Sequence, residues 1–61
     1  MDSLISPDEL ALHLAVPATT LAQWRYLGRG PAYLKVGRHV RYRVADVERW
    51  LAQQTVSPRW L

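Results

Sequence analysis

A cluster of turn formers, Gly28-Arg29-Gly30-Pro31, separates two kinds of hydrophobic pattern in this chain. Before the cluster, apolar residues recur every three or four positions, which is typical of α-helices. After it, apolar and polar residues first alternate, which is typical of strands, and a helical pattern then returns. A chain of 61 residues has room for one core. We therefore predict a single α+β domain over residues 1–61, with residues 55–61 as a C-terminal tail.

The first helix has a complete start signal. The segment Ser6-Pro7-Asp8-Glu9 offers a capping hydroxyl, a proline for the first helical position and a glutamate three residues after the cap, which together make a capping box. Ile5 and Leu10 are placed to form a hydrophobic staple across this start. The pattern predicts a helix from Pro7 to Leu14. A tight turn at Ala15-Val16-Pro17 should follow, because proline cannot continue a helix without losing a backbone hydrogen bond.

A second helix is predicted after Pro17, and Gly28 is a typical C-terminal stop for it. Leu21, Trp24 and Leu27 recur at three-residue spacing, so we expect them to face the core. Four further residues are left on other faces of this helix: Thr19, Thr20, Gln23 and Tyr26.

The alternating residues after Pro31 predict a β-hairpin around Gly37. A two-residue loop would place Val36 opposite His39 and so mix apolar with cationic residues on one face. A three-residue loop, Gly37-Arg38-His39, would keep the apolar residues together, although such loops usually place glycine last. We expect the three-residue loop, with one apolar and one cationic face. The pairs that it predicts are Val36 with Val40 and Leu34 with Tyr42.

The last helix is predicted from about Val44 to Gln54, where apolar residues return at helical spacing. Arg43 and Arg49 are expected at the surface or in ion pairs with Asp46 or Glu48. The apolar face that should close the core consists of Val44, Val47, Trp50 and Leu51.

Charge is distributed unevenly along the chain. The acids are Asp2, Asp8, Glu9, Asp46 and Glu48, so residues 10–45 contain none. The same window holds six cations: Arg25, Arg29, Lys35, Arg38, Arg41 and Arg43. Together with a pI near 10.0, this favours a surface that binds a polyanion over charge scattered only for solubility.

Several function classes have little support in the sequence. The chain has no cysteine, which excludes a disulfide framework and a cysteine zinc site. His13 and His39 are the only histidines, and no acid lies between them, so we expect no enzymatic activity and no cofactor or metal. No apolar run approaches 18 residues and no secretion signal is evident, so we expect a cytoplasmic protein without a membrane partner.

Two short helices joined by a tight turn and followed by a cationic hairpin are the arrangement of a winged helix-turn-helix, in which the second helix enters a DNA major groove. The candidate DNA-binding residues are Thr19, Thr20, Gln23, Arg25, Arg29, Lys35, Arg38, His39 and Arg41. Arg38, beside the hairpin turn, is the strongest of them because it can reach a phosphate or the minor groove. Alternatively, Thr19 and Thr20 could serve only to cap the helix, and Gln23 could serve only to keep the helix soluble. Tyr26 could contact the DNA backbone or pack against the wing.

An ordered set of residues resembles the excisionase-like and AlpA-like small helix-turn-helix family, which is related to the DNA-binding domain of MerR-type regulators. The matching segments are Ser6-Pro7-Asp8-Glu9-Leu10-Ala11, Val16, Thr20-Leu21, Trp24-Arg25, Gly28-Arg29-Gly30-Pro31, Val36-Gly37-Arg38-His39-Val40-Arg41-Tyr42-Arg43, Asp46-Val47 and Trp50-Leu51. The similarity covers residues 4–52. One departure is Pro17, where the family often has a serine or threonine that caps the second helix.

The resemblance implies a protein that binds tandem sites on double-stranded DNA, contacts neighbouring copies of itself and bends the duplex, directing a site-specific recombinase (an integrase) of a phage or mobile element toward excision. The apolar tail Arg59-Trp60-Leu61 is a candidate contact between copies. A stand-alone transcriptional regulator is the first alternative, and a module that binds an acidic protein partner is the second. RNA is less favoured because the aromatic residues do not form an exposed stacking platform.

Overall fold

The computed structural model describes residues 3–58, and over that range the chain forms three helices and a three-stranded antiparallel sheet. The elements in chain order are β1 (Leu4–Ile5), α1 (Pro7–Leu14), α2 (Ala18–Leu27), β2 (Leu34–Val36), β3 (His39–Arg43) and α3 (Val44–Gln53). The strands lie in the order β1-β3-β2. This confirms the predicted winged helix-turn-helix architecture. The proposed contact made by residues 59–61 falls outside the described residues.

Helix α1 has the predicted bounds, and its capping box is present. The backbone N–H of Glu9 donates to the Ser6 hydroxyl at 3.1 Å, and the Ser6 N–H donates to the Glu9 carboxylate at 3.0 Å. Pro7 occupies the first turn, where its missing N–H costs no hydrogen bond. The helix ends at Ala15, whose left-handed backbone (φ 58°) starts the turn into α2.

Helix α2 starts after Pro17 and ends at Gly28, as predicted. Leu21 is fully buried, but the expectation for Leu27 is wrong because 49% of its surface is exposed. Each step of three residues falls about 60° short of a full helical turn. Two such steps therefore turn Leu27 by about 120° away from the direction of Leu21.

The hairpin has a two-residue loop, so the predicted three-residue loop is wrong. Val36 pairs with His39, Lys35 with Val40, and Leu34 with Arg41. Gly37 has φ 62° while Arg38 has negative φ, the sign pattern of a type II′ turn, which requires glycine at its first position. The geometry of the turn therefore sets the register, and the sorting of apolar side chains onto one face does not.

Strand β1 was not predicted. Leu4 pairs with Arg43 and Ile5 with Tyr42, so β1 covers the edge of β3 that faces away from β2. The N–H of Val44 donates to the carbonyl of Ser3 at 3.0 Å and ties the start of α3 to this edge.

The core lies where α1, α2, β3 and α3 meet. It consists of Leu10, Ala11, Leu21, Tyr42 and Val47, with Ile5, Leu14, Val16, Trp24, Val40 and Leu51 packed around it. Helix α3 ends one residue earlier than predicted, and the rest of its predicted apolar face is half-buried.

Trp24 and Trp50 are half-buried rather than fully internal, and their rings pack together with centroids 5.4 Å apart. A Cβ added at Gly30 would lie 3.0 Å from the Trp24 ring, so glycine allows the loop after α2 to close over this pair.

Candidate nucleic-acid interface

Helix α2 presents one uninterrupted exposed face, which we call the outer stripe. It consists of Thr19, Ala22, Gln23 and Tyr26, which follow the i, i+3, i+4, i+7 spacing of a single helix face. Tyr26 is 88% exposed, so it does not pack against the wing. Thr20 is half-buried and lies off the stripe. Neither threonine caps the helix, because its N-cap is Pro17 and no side-chain cap bond forms.

Ala22 was not among the predicted site residues, and Tyr26 was predicted only to contact either the DNA backbone or the wing, although the helical spacing that groups both with Gln23 is visible in the sequence. Alanine has no polar group that would mark it as a base-contacting residue. Its methyl group can nevertheless contact a thymine methyl in the major groove. The outer stripe is therefore a better description of this face than the predicted set of two threonines, a glutamine and an arginine.

Arg25 is directed from α2 to the sheet. Its Nη1 donates to the hydroxyl of Tyr42 at 2.8 Å, and its guanidinium carbon lies 5.9 Å from the centroid of the Tyr33 ring. The two tyrosine rings are themselves 6.2 Å apart. The two Arg25 contacts involve a charge and are partly buried, so together with the core packing of Tyr42 they help to position α2 relative to the hairpin.

The cationic residues of the hairpin do not share one face, which corrects the prediction of a single cationic face. Residues paired across the strands project to the same side, so Lys35 shares a side with Val40 and, by alternation, with Tyr42. His39 and Arg41 project to the opposite side. Arg38 occupies the exposed tip, from which its side chain is not confined to either face. The two-residue loop is the physical reason, because moving the register by one residue exchanges the faces.

Arg41 and Arg29 differ in their freedom to reach a ligand. Arg41 is half-buried, and its Nη1 donates to the carbonyl of Val40 at 2.7 Å. The pKa of Glu9 is lowered mainly because its carboxylate accepts a hydrogen bond from the backbone N–H of Ser6, and the Ser6 side chain and the positive charge of Arg41 lower it further. Arg29 is exposed directly after α2, and its backbone N–H is held by the carbonyl of Trp24 at 2.7 Å.

Arg43 and Arg49 form ion pairs with Asp46, which was one of the predicted alternatives. The Arg49 guanidinium lies 2.9 Å from the Asp46 carboxylate, and that of Arg43 lies 3.7 Å from it. Both cations are thus partly neutralised within the protein, unlike the exposed Arg29 and Arg38.

The N-terminus of α2 differs from those of the other two helices. Helix α1 carries Asp8 and Glu9 in its first turn and α3 carries Asp46, whereas the first turn of α2 has no acid. The partial positive charge of this helix end is therefore not offset by a side chain of its first turn. Exposed amides at such an end are suited to a phosphate group.

Neither a metal-binding cluster nor a membrane-spanning helix is present in residues 3–58. No group of three or more histidine, cysteine, aspartate or glutamate residues in this range could hold a metal ion. No helix in the same range is long and apolar enough to cross a membrane.

Comparison with known proteins identifies the fold family. No curated protein matches the chain. A family model described as a helix-turn-helix domain matches residues 4–55, which include every helix and strand described above. That family contains excisionase-like and AlpA-like small helix-turn-helix proteins, and its domain indicates DNA binding. The chain belongs to the helix-turn-helix domain family.

Proposed function

We propose that this protein is a sequence-specific binder of double-stranded DNA that acts as an excision factor for a phage or mobile element. In this proposal it binds tandem sites in the cytoplasm, bends the duplex and directs an integrase, and it has no catalytic activity of its own. The observation that supports it most strongly is the exposed outer stripe beside a hairpin that the contact between Arg25 and Tyr42 helps to position.

The contacts follow from the geometry of the domain. The outer stripe enters the major groove, which is wide enough for a helix. The uncapped N-terminus of α2 and the exposed Arg29 meet phosphates on either side of the groove. The hairpin acts as the wing, with Arg38 at its tip directed to the minor groove and Lys35 and His39 near the backbone. Arg25 positions the helix, and Arg41 lies farther from the duplex because it is half-buried.

Salt dependence tests the DNA contact directly. If about five phosphates are neutralised, the logarithm of the affinity should fall with the logarithm of the salt concentration with a slope of roughly −4 to −5. Fluorescence anisotropy on a labelled duplex measures this slope. A slope near zero would contradict the proposal and favour the alternative in which the basic surface binds an acidic protein.

A matched pair of arginine variants locates the contact. Arg38→Ala should weaken binding on all sequences and reduce the magnitude of the slope by about 1. Arg49→Ala, which removes an arginine already paired with Asp46 on α3, should leave the slope unchanged. Equal effects of the two variants would mean that the wing tip does not contact the duplex.

Footprinting separates excision from transcriptional control. Several adjacent protected sites beside a recombination attachment site would support the excision role, whereas one site over a promoter would support a stand-alone regulator.

Deletion of residues 58–61 tests self-association. It should lower cooperativity on tandem sites and leave single-site affinity intact, and an unchanged binding curve would exclude the tail from that contact.

A further inference from the structure

We infer that α2 reads A·T base pairs and that its target in the major groove is a short run of adenine and thymine. This inference rests on the proposed DNA-binding function and adds the chemical class of the bases that the helix recognises. The inference is based on the side chains of the outer stripe and on the absence of a positively charged residue from that stripe.

The helix offers no free side chain for the commonest guanine contact. Guanine is read most often by an arginine or lysine that donates two hydrogen bonds to O6 and N7. Helix α2 contains a single cation, Arg25, and its guanidinium is bound to the Tyr42 hydroxyl and stacked near the Tyr33 ring. Arg25 is thereby held on the sheet side of the helix, and the outer stripe carries no charge at all.

The side chains that the stripe does hold match adenine and thymine. The amide of Gln23 can accept from N6 and donate to N7 of one adenine, and the methyl groups of Ala22 and Thr19 can contact thymine methyls. Gln23 is exposed and has no hydrogen-bond partner within residues 3–58, so its amide is available to a base.

The spacing sets the length of the site. Thr19 and Gln23 are four residues apart, which is about 6 Å along the helix axis. Base pairs are stacked about 3.4 Å apart, so these side chains span about two base-pair steps. Tyr26 lies a further turn along the stripe, where its hydroxyl can reach the DNA backbone. The stripe should therefore read three or four consecutive base pairs.

The first experiment selects binding sites for the full chain from duplexes with a random central segment. We expect the selected sites to share a core of three or four A·T pairs. A core of G·C pairs, or salt-dependent binding with no base preference, would overturn the inference and leave the proposed DNA-binding function standing. Absence of salt-dependent binding to any duplex would instead overturn the proposed function itself.

The second experiment changes single atoms of the selected site. Replacing the adenine read by Gln23 with 7-deazaadenine removes N7, the acceptor of one of the two hydrogen bonds, and should lower affinity about 2- to 10-fold, the range for one lost hydrogen bond. Replacing a contacted thymine with deoxyuridine removes one methyl group and should lower affinity about fourfold. If neither analogue at any core position lowers the affinity, the inference is wrong.

A pair of glutamine variants assigns the adenine contact. Gln23→Ala should bind the natural and the 7-deazaadenine duplex equally, because the amide that distinguishes them is gone. Gln53→Ala, which changes an exposed glutamine on α3, should still discriminate between the two duplexes as the unmodified protein does. Discrimination that survives in Gln23→Ala would overturn the assignment to the outer stripe, and circular dichroism verifies that both variants are folded.

Discussion

The pair of helices α1 and α2 and the β2–β3 hairpin are held in place by different forces. Leu10 and Leu21 in the helix pair are fully buried, whereas in the hairpin Val40 is only half-buried and 50% of the surface of Val36 is exposed. The helix pair is therefore fixed mainly by apolar burial. In the hairpin only Tyr42, near the end of β3, is fully buried in the same core, and the rest depends on backbone pairing, the glycine turn and the polar contact between Arg25 and Tyr42.

This difference predicts which parts of the candidate interface are most firmly held in place. Burial on one side of α2 fixes which residues form its opposite face, so the outer stripe keeps its direction as long as the core is intact. The wing has no comparable core beneath its tip, and its direction relative to α2 is set by few contacts. Perturbations of burial should therefore damage the helix pair most, and perturbations of turn geometry should act on the hairpin.

The largest effect is expected from Leu21→Ala. Loss of a fully buried leucine side chain leaves a cavity and should reduce the free energy of unfolding by about 3–5 kcal/mol, enough to unfold much of a domain of this size. Leu27→Ala on the same helix is the control, because Leu27 is 49% exposed and should cost less than about 1 kcal/mol. Urea unfolding followed by circular dichroism measures both, and similar losses would refute the assigned faces of α2.

The next effect concerns the hairpin turn. Gly37→Ala should reduce the free energy of unfolding by about 1–2 kcal/mol, because the left-handed φ of 62° is unfavourable for a residue with a Cβ. No atom lies within 4 Å of such a Cβ, so the cost is conformational rather than steric. Gly37→Asn should cost a similar amount, since the first position of a type II′ turn favours glycine over residues with a Cβ. Thermal melts of the three proteins decide the matter, and an Ala variant as stable as the unmodified protein would argue for a different loop.

A smaller effect is expected where the two regions meet. Tyr42→Phe removes the acceptor for Arg25 and should cost about 1 kcal/mol of stability. If that hydrogen bond is the main role of Arg25, the change Arg25→Ala should cost much less in the Tyr42→Phe protein than in the unmodified one. Urea unfolding of the two single variants and the double variant tests this. Additive losses would mean that Arg25 and Tyr42 act independently.

The smallest effect is a dependence on pH confined to α1. The folded state lowers the pKa of Glu9 below 4.5, so its contribution to stability is complete above about that pH and is lost as the pH falls through the lower folded value. The hairpin contains no acid, so its amides should remain protected over the same window. Amide exchange is measured by NMR between about pH 5 and about pH 3, which is the range where carboxylates titrate. It should show loss of protection in the first turn of α1 alone. The Glu9→Gln variant should remove that trend, and persistence of the trend in this variant would assign it to another carboxylate.

The sequence predicted the helices well because their signals are local. The capping box at Ser6 and the stop at Gly28 each depend on a few neighbouring residues, and both were found where expected. The error at Leu27 arose from treating three-residue spacing as a full turn. The outer stripe could also be obtained from the helical period alone, provided that alanine is counted as a recognition residue.

The sheet was less predictable because its determinants are not local. Strand β1 is two residues long and does not alternate, so nothing near Leu4 shows that it will pair with Arg43. Two factors compete to set the register of the hairpin. One is the placement of all apolar side chains on the same face, and the other is the backbone geometry of the turn at Gly37. Sorting side chains by face has little effect near the turn, where Val36 and His39 are both exposed, and the turn geometry therefore prevailed. The partner of Arg25 could not be found from the sequence, since Tyr42 is 17 positions away along the chain.

The separation of the outer stripe from the core also bears on how such a domain acquires new targets. Within residues 3–58, none of the four stripe side chains takes part in a hydrogen bond, an ion pair or a ring contact. Mutations there can accumulate with little penalty to folding, since exposed substitutions away from special backbone features usually change stability by less than about 0.5 kcal/mol. On the proposed function, a lineage of this domain can therefore drift from one DNA target to another while its scaffold stays constant, and a combinatorial library restricted to these positions should consist largely of folded proteins.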